Sequence, residues 1–194
     1  KFHNDECFDG REGREITAQD FKWCFDNLCT AGPHNQWFNG TFKDRVKGAN
    51  EYYQSTKDKK QKPLEGGVSG VKVIDDYTLE ITLNHSFAGF PNILVIYGCY
   101  LFPKEAFEKY GEDGMRTKAI GTGAYMLKSF EEGEAVILER NPDYWDKDAD
   151  GNQLPYLDVV RFSFIKEKKQ ELLEFKKGNL DMLYRIPTEN IGDI

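Results

Sequence analysis

The residues of this 194-residue chain that could hold a metal or attack a bond are three histidines, four cysteines and one run of alternating aspartates. His3, His34 and His85 stand apart from one another and from every cysteine. Zinc needs three or four converging ligands, so surface or capping roles are the preferred reading for each histidine. Cys7, Cys24, Cys29 and Cys99 show no CxxC pair; four cysteines allow three pairings, and their spacing does not choose among them. A nucleophile elbow, a P-loop and a dinucleotide-binding GxGxxG are all missing. Gly121-Thr122-Gly123 comes nearest, but it lacks the third glycine and leads into a strand pattern. Carboxylates are plentiful without forming an acid/base couple. The expectation is a protein that is not an enzyme and carries no cofactor.

Asp146, Asp148, Asp150 and Gly151 reproduce the opening of a calcium loop, with oxygens at positions 1, 3 and 5 and glycine at 6. The bidentate acid due at position 12 is Leu157 instead, with Asp158 one step late. A solvated acidic turn is the preferred reading, so no metal is assigned; calcium at Asp146, Asp148 and Asp150 is the alternative. Aromatic side chains are the better binding candidates, because pockets for small ligands are lined by such groups. Trp37, Phe38, Tyr97 and Tyr100 fall in irregular segments, where binding residues concentrate. Tyr125, Tyr144 and Trp145 lie on or beside a hairpin and are expected in the core.

These residues must be positioned by a soluble-type framework. The chain is 39% hydrophobic and 30% charged, with net charge −7, ordinary values for a globular protein. Its longest apolar run, Ile93-Leu94-Val95-Ile96-Tyr97, is far short of a membrane span, and no leader peptide opens it. Both charge signs are spread along the chain and its net charge would repel phosphates on average, so no nucleic-acid partner is expected. The basic stretch Lys57–Lys62 is broken by Asp58 and ends at Pro63, as a solvated loop does.

The periodicities predict a mixed α+β fold. Thr17 caps a helix over 18–28, with Asp20 in the position of a capping-box acid and Phe21, Cys24, Phe25 and Leu28 at helical spacing. A second helix is expected over 42–55, carrying Phe42, Val46, Ala49 and Tyr53 on one face. Residues 68–83 alternate as a hairpin around Asp75-Asp76. Short helices follow over 90–97 and from Pro103 to Tyr110, the latter stopped by Gly111. A domain boundary is placed near Gly114. Beyond it come a hairpin (124–130 and 134–140 around Glu132-Gly133), a strand over 159–165, a helix over 167–177 and a strand over 180–184.

Eight segments, in order, resemble a known family. They are Lys1-Phe2-His3-Asn4-Asp5, Ile16–Phe21, the Val71–Leu83 hairpin, Leu101-Phe102-Pro103-Lys104, Gly121-Thr122-Gly123-Ala124-Tyr125, Glu139-Arg140-Asn141-Pro142-Asp143-Tyr144-Trp145, Leu154–Asp158 and Lys177–Asp181. Together they are similar to the extracytoplasmic solute-binding proteins of family 5, which include the oligopeptide- and dipeptide-binding proteins of ABC importers. The resemblance implies a periplasmic-binding-protein-like fold (type II, family 5), seen in part. Residues 1–115 would be the inserted small α+β domain, residues 116–194 the central part of the first lobe, and the second lobe would be absent.

The resemblance also implies the work. An extended peptide would be gripped by backbone hydrogen bonds, as in strand addition, with side-chain pockets that tolerate variety and lobes closing around a hinge. Ile96, Tyr97, Gly98 and Tyr100 resemble a stretch that faces the cleft, as does the loop at Trp37 and Phe38; the apolar Ile96 stands where relatives often carry a polar residue. Gly121, Thr122 and Gly123 would shape the cleft floor. The implied partners are a peptide or other small solute and the permease subunits of an ABC transporter. The implied place is the periplasm or its extracytoplasmic equivalent, with a lipid anchor as an option in the full-length protein. An extracytoplasmic ligand-sensing domain is one alternative; a binder of an oligosaccharide or a metal chelate is another. A chain of this extent should bind ligand poorly by itself and should self-associate through uncovered apolar surface.

Overall fold

A computed structural model of the chain describes residues 1–58, 60–186 and 192. They fall into two compact units, Lys1–Gly123 and Ala124–Ile194.

In the first unit, helix α1 (Ala18–Leu28) begins as its sequence requires. The Thr17 backbone N–H donates to the Asp20 carboxylate at 2.9 Å, so the shorter aspartate does the work of the usual glutamate in a capping box. Ala18, Cys24, Phe25 and Leu28 form its buried stripe. Phe25 meets Phe42 with ring centroids 5.0 Å apart, and Val46, Ala49, Val68, Val71 and Phe90 close the core around them. Each such side chain stabilises the unit by roughly 1.5–3 kcal/mol when fully buried.

The expected helix over 42–55 is much shorter. Helix α2 covers only Ala49–Ser55, because Gly48 takes a left-handed conformation with φ 77°. A side chain there is blocked as well, since a Cβ would stand 2.1 Å from the Ser69 hydroxyl. Phe42, Val46 and Ala49 are nonetheless fully buried: their spacing records which residues face the core, and turns deliver them as well as a helix would. Strands β1 (Val71–Asp75) and β2 (Thr78–Ile81) form the expected antiparallel hairpin, with Val73 opposite Leu79 and an irregularity between Val73 and Asp75. The Ala18 N–H donates to Asp76 O at 2.7 Å and ties the hairpin turn to the start of α1.

Helix α3 is a single turn, Phe90–Ile93, rather than 90–97. The chain extends at Ile96 and then tightens into a 3-10 turn over Tyr97–Cys99. That break brings Ile93 and Cys99 into one core, which a continuous helix would not do. Helix α4 (Lys104–Gly114) starts after Pro103 and loses regular geometry at Gly111, with φ 68° and ψ 176°. The stop expected at Gly111 is therefore a kink, with one more turn beyond it. A second cluster joins Phe2, Phe8, Ala106 and Ile120, so the polar opening segment is anchored by its two phenylalanines. Arg14 reinforces that anchor. Its guanidinium donates to the Asp20 carboxylate at 2.6 and 2.9 Å and to Glu105 at 2.6 and 3.0 Å, and lies 5.4 Å from the Phe2 ring centre.

The second unit is a three-stranded antiparallel sheet, β3 (Tyr125–Glu131), β4 (Ala135–Arg140) and β5 (Val159–Ser163), with β4 central. Gly133 turns the first hairpin at φ 76°, where only glycine is free of strain. Helix α5 (Lys168–Lys176) follows, and Gly178 leaves it at φ 80°. The strand expected over 180–184 does not form; those residues are bends and irregular chain. Trp145, expected in the core, is instead 76% exposed; it lies beyond the end of β4 at Arg140, after a turn at residues 142–143. Phe162 and Phe164 are half-exposed, so the apolar side of β5 is open. Among the described residues no helix is long and apolar enough to cross a membrane.

Candidate ligand-binding site

The structure brings three of the candidate residues into one aromatic group. The Trp37 ring meets Tyr97 edge-on, centroids 6.2 Å apart at 76°; Tyr97 meets Tyr100 in the same way at 5.6 Å and 88°. Edge-to-face contacts of this kind add about 0.5–1.5 kcal/mol beyond burial and fix the rings relative to one another. All three rings are open to solvent: Trp37 is 42% exposed, Tyr97 74% and Tyr100 56%. Aromatic rings that touch one another and yet face water make this group a candidate contact surface.

The local chain explains why they meet. Asn35 accepts the Trp37 and Phe38 N–H groups on its side-chain oxygen, at 3.2 and 3.1 Å, and its amide nitrogen donates to Leu28 O and Thr30 O at 2.7 Å each. The loop after α1 is thereby fixed to the end of that helix. On the other side, the 3-10 turn at Tyr97–Cys99 is rooted by buried Cys99. Gly98 lies directly under the indole: a Cβ there would stand 2.4 Å from Trp37 Cγ. The glycine is the condition for contact between the two segments.

Other candidates are placed differently. Phe38 is 4% exposed and stacks on Tyr53 at 4.1 Å with the rings 2° from parallel; it is a core residue that supports the loop. Ile96 is half-buried and packs on the same core. Gly121, Thr122 and Gly123 form a separate group, tied to the opening segment of the chain. The His3 N–H donates to Gly121 O at 2.8 Å, the Gly121 N–H donates to His3 Nδ1 at 3.3 Å, and His3 Nε2 donates to Gly123 O at 2.8 Å.

His3 is thus neither a surface nor a capping residue. Sequence reasoning missed it because its partners lie about 120 positions away; the one available signal was its place beside the apolar Phe2 in a strand-like segment. Burial lowers its pKa, against the Gly123 bond, which raises it, and with the α-amino group of Lys1 adding to the fall.

In the acidic loop, the Asp148 carboxylate already accepts the N–H groups of Asp150 and Asn152 and the Asn152 side-chain amide, at 2.9, 2.7 and 2.8 Å. The Tyr156 hydroxyl donates to it as well. These bonds, led by that of Tyr156, hold Asp148 at a pKa of about 2. Among the described residues no group of three or more His, Cys, Asp or Glu side chains is placed to hold a metal. All four cysteines are free thiols. Burial raises the pKa of Cys24 and Cys99 to about 11, so neither is an activated nucleophile.

Comparison with known proteins places the chain in a family. The family model for bacterial extracellular solute-binding proteins, family 5 (middle region), matches residues 1–194. The chain belongs to this family. It is 30% identical over 191 residues to the periplasmic oligopeptide-binding protein OppA of Salmonella typhimurium, covering 94% of this chain and 32% of that protein. Among solved structures it is similar to Haemophilus influenzae OppA in complex with the peptide RPPGFSPFR, with TM-score 0.73, 25% identity, and coverage of 93% of this chain and 33% of that one. The ABC transporter-associated periplasmic binding protein DppA of Helicobacter pylori in complex with the peptide STSA shares the fold, with TM-score 0.74 at 19% identity, covering 99% of this chain and 34% of that one. The family 5 chain described here thus spans about a third of the length of these relatives. Its two units are a part of the periplasmic-binding-protein fold of that family.

Proposed function

We propose that the protein is the substrate-binding component of an ABC importer, that it takes peptides, and that it hands them to a permease in the cytoplasmic membrane. The observation that carries this reading is the family match across residues 1–194, joined to relatives named for oligopeptide binding and to neighbours solved with peptides bound. The protein works outside the cytoplasmic membrane, and its work is capture and release by a shift between open and closed states. In this account residues 1–115 are the inserted small domain and residues 116–194 the central part of the first lobe.

Trp37, Tyr97 and Tyr100 form one wall of the peptide cleft, with Gly98 setting their spacing and Ile96 backing them. Gly121, Thr122 and Gly123 shape its floor. An apolar wall supports recognition of side chains by shape and stacking, while the peptide's backbone supplies the common hydrogen bonds.

The test is fluorescence titration of the full-length protein with a defined peptide, comparing wild type with Tyr97→Ala. Tyr97 is 74% exposed and meets the Trp37 and Tyr100 rings edge-on, so its removal should leave the fold intact and weaken peptide binding about tenfold, near 1.4 kcal/mol. Unchanged affinity would remove these rings from the cleft. The chain of residues 1–194 alone should bind weakly, and micromolar binding by calorimetry would contradict that. It should also self-associate through Phe162, Phe164 and their neighbours on the open side of β5, so a strict monomer in sedimentation would count against that surface.

A further inference from the structure

His3 is enclosed, at 7% exposed, while His34 and His85 are exposed. Both of its ring nitrogens address one short stretch of backbone. Because the Gly121 N–H can only donate, Nδ1 must accept, at 3.3 Å. Nε2 must then carry the proton and donate to Gly123 O, at 2.8 Å. Only this neutral tautomer satisfies both partners. The backbone bond from the His3 N–H to Gly121 O, at 2.8 Å, holds the same segment from its other edge. Gly123 is the last residue of the first unit, and Ala124 opens the second.

We propose that His3 is a pH-operated latch on the segment that joins the two units, closed while the imidazole is neutral and released when it is protonated. Protonation places a hydrogen on Nδ1, directed at the Gly121 N–H, so an accepted bond becomes a clash of two donors. The Gly123 bond survives, because Nε2 donates in either state. The segment loses its grip at Gly121 first.

The surroundings give the sign. The charged groups on the neighbouring segments are Lys1 with its α-amino group, Asp5, Glu12, Arg14 and Lys118. Asp5 accepts the Tyr110 hydroxyl at 2.7 Å, and Arg14 is held by Asp20 and Glu105. His3 pairs with none of these carboxylates, so no counter-charge favours its cationic form. Burial, the largest influence, lowers its pKa from 6.5. A histidine depressed in this way contributes stability that is fully present above 6.5 and is lost as pH falls through the folded-state value.

The experiment is amide hydrogen exchange on the protein, corrected for intrinsic rates, at about pH 7.5 and about pH 5.5. Protection at Gly121 should fall by up to about tenfold at the lower pH, the limit set by an open-state pKa of 6.5, while amides of β1 keep theirs. His3→Gln offers a donor and an acceptor but does not titrate, and its Gly121 protection should be flat with pH. Imidazole nitrogen shifts of the wild type supply a readout that needs no variant. They should show the Nε2–H tautomer and a titration midpoint below 6.5, with the loss of protection running from about 6.5 down to that midpoint. Flat wild-type protection, an equal fall in β1, the same pH dependence in His3→Gln, or a His3 midpoint at or above 6.5 would each overturn the latch.

Discussion

Replacing Arg14 by methionine keeps the length and apolar stem of the side chain and removes its charge. Asp20 is 5% exposed and would lose two hydrogen bonds, at 2.6 and 2.9 Å, keeping those from the Thr17 N–H at 2.9 Å and the Thr17 hydroxyl at 3.4 Å. Breaking a fully buried pair costs about 3–5 kcal/mol, because one charge is left without compensation. Here Arg14 and Glu105 are 37% and 34% exposed, so water reaches part of the network and the cost falls to about 2 kcal/mol. Urea unfolding followed by tryptophan fluorescence measures it, since Trp23 packs edge-on to Phe102 and Phe107 in the same unit, at 5.3 and 5.7 Å.

Two controls sharpen the test. The double variant with Asp20→Asn should be less impaired than the sum of the single ones by about 1–2 kcal/mol, the signature of a direct pair. The pH dependence should also change sign. Burial by itself raises the Asp20 pKa, but the hydrogen bonds from Arg14 and Thr17 and the Arg14 charge outweigh it and hold the carboxyl below its usual range. Wild type therefore keeps this stabilisation above pH 3.8 and loses it as pH falls through the depressed value. In Arg14→Met burial dominates, the carboxyl rises, and protonation relieves the variant. Its deficit should be larger at pH 7 than at pH 4. A cost below about 0.5 kcal/mol, strict additivity, or a deficit independent of pH would refute the reasoning.

Gly98→Ala puts a Cβ 2.4 Å from Trp37 Cγ and should displace the indole, costing about 1–3 kcal/mol with a red-shifted Trp37 emission; an unshifted spectrum would show that the contact is dispensable. Asp26→Ala leaves Lys22 without the partner it meets at 2.6 Å and the Val68 N–H without its 2.8 Å acceptor, and should lower stability by about 2–3 kcal/mol in urea unfolding. Calcium at millimolar levels should leave the thermal midpoint unchanged, because the Asp148 oxygens already accept protein donors; a rise of several degrees would mean that the loop rearranges around the ion. Iodoacetamide near pH 8 should label Cys7 slowly, as burial, with Asp5 beside it, lifts that thiol to about 12, and rapid labelling would contradict that environment.

Features set by neighbours in sequence were legible before the structure. Thr17 and Asp20 three residues on, the alternation through Val71–Leu83, and Gly133 between two apolar runs each specify local geometry, and each element stands where expected. The failures share one cause. Helical spacing over 42–55 and 90–97 reflects burial, and glycine or tertiary packing decides the backbone: Gly48 at φ 77° ends one pattern, and the shared core of Ile93 and Cys99 ends the other. Leu180–Tyr184 has strand-like composition but no pairing partner among the described residues, and a strand without a neighbour leaves its backbone unpaired. At the candidate site, Trp37, Tyr97 and Tyr100 were legible as aromatics in irregular segments. Their contact was not, because it depends on a glycine 61 positions from the tryptophan. The His3 and Arg14 networks span separations of 118, 120 and 91 residues and leave no trace in local pattern.

The measurement that bears most directly on the account is a thermal-unfolding screen of the full-length protein against pooled short peptides, with oligosaccharides and metal chelates as controls. A ligand held at about a hundred times its dissociation constant adds roughly 2.7 kcal/mol of stability, several degrees in the midpoint. The account predicts a rise with peptide pools alone, and a smaller rise for Tyr97→Ala at the same concentrations. A rise with saccharides or chelates and none with peptides would contradict it.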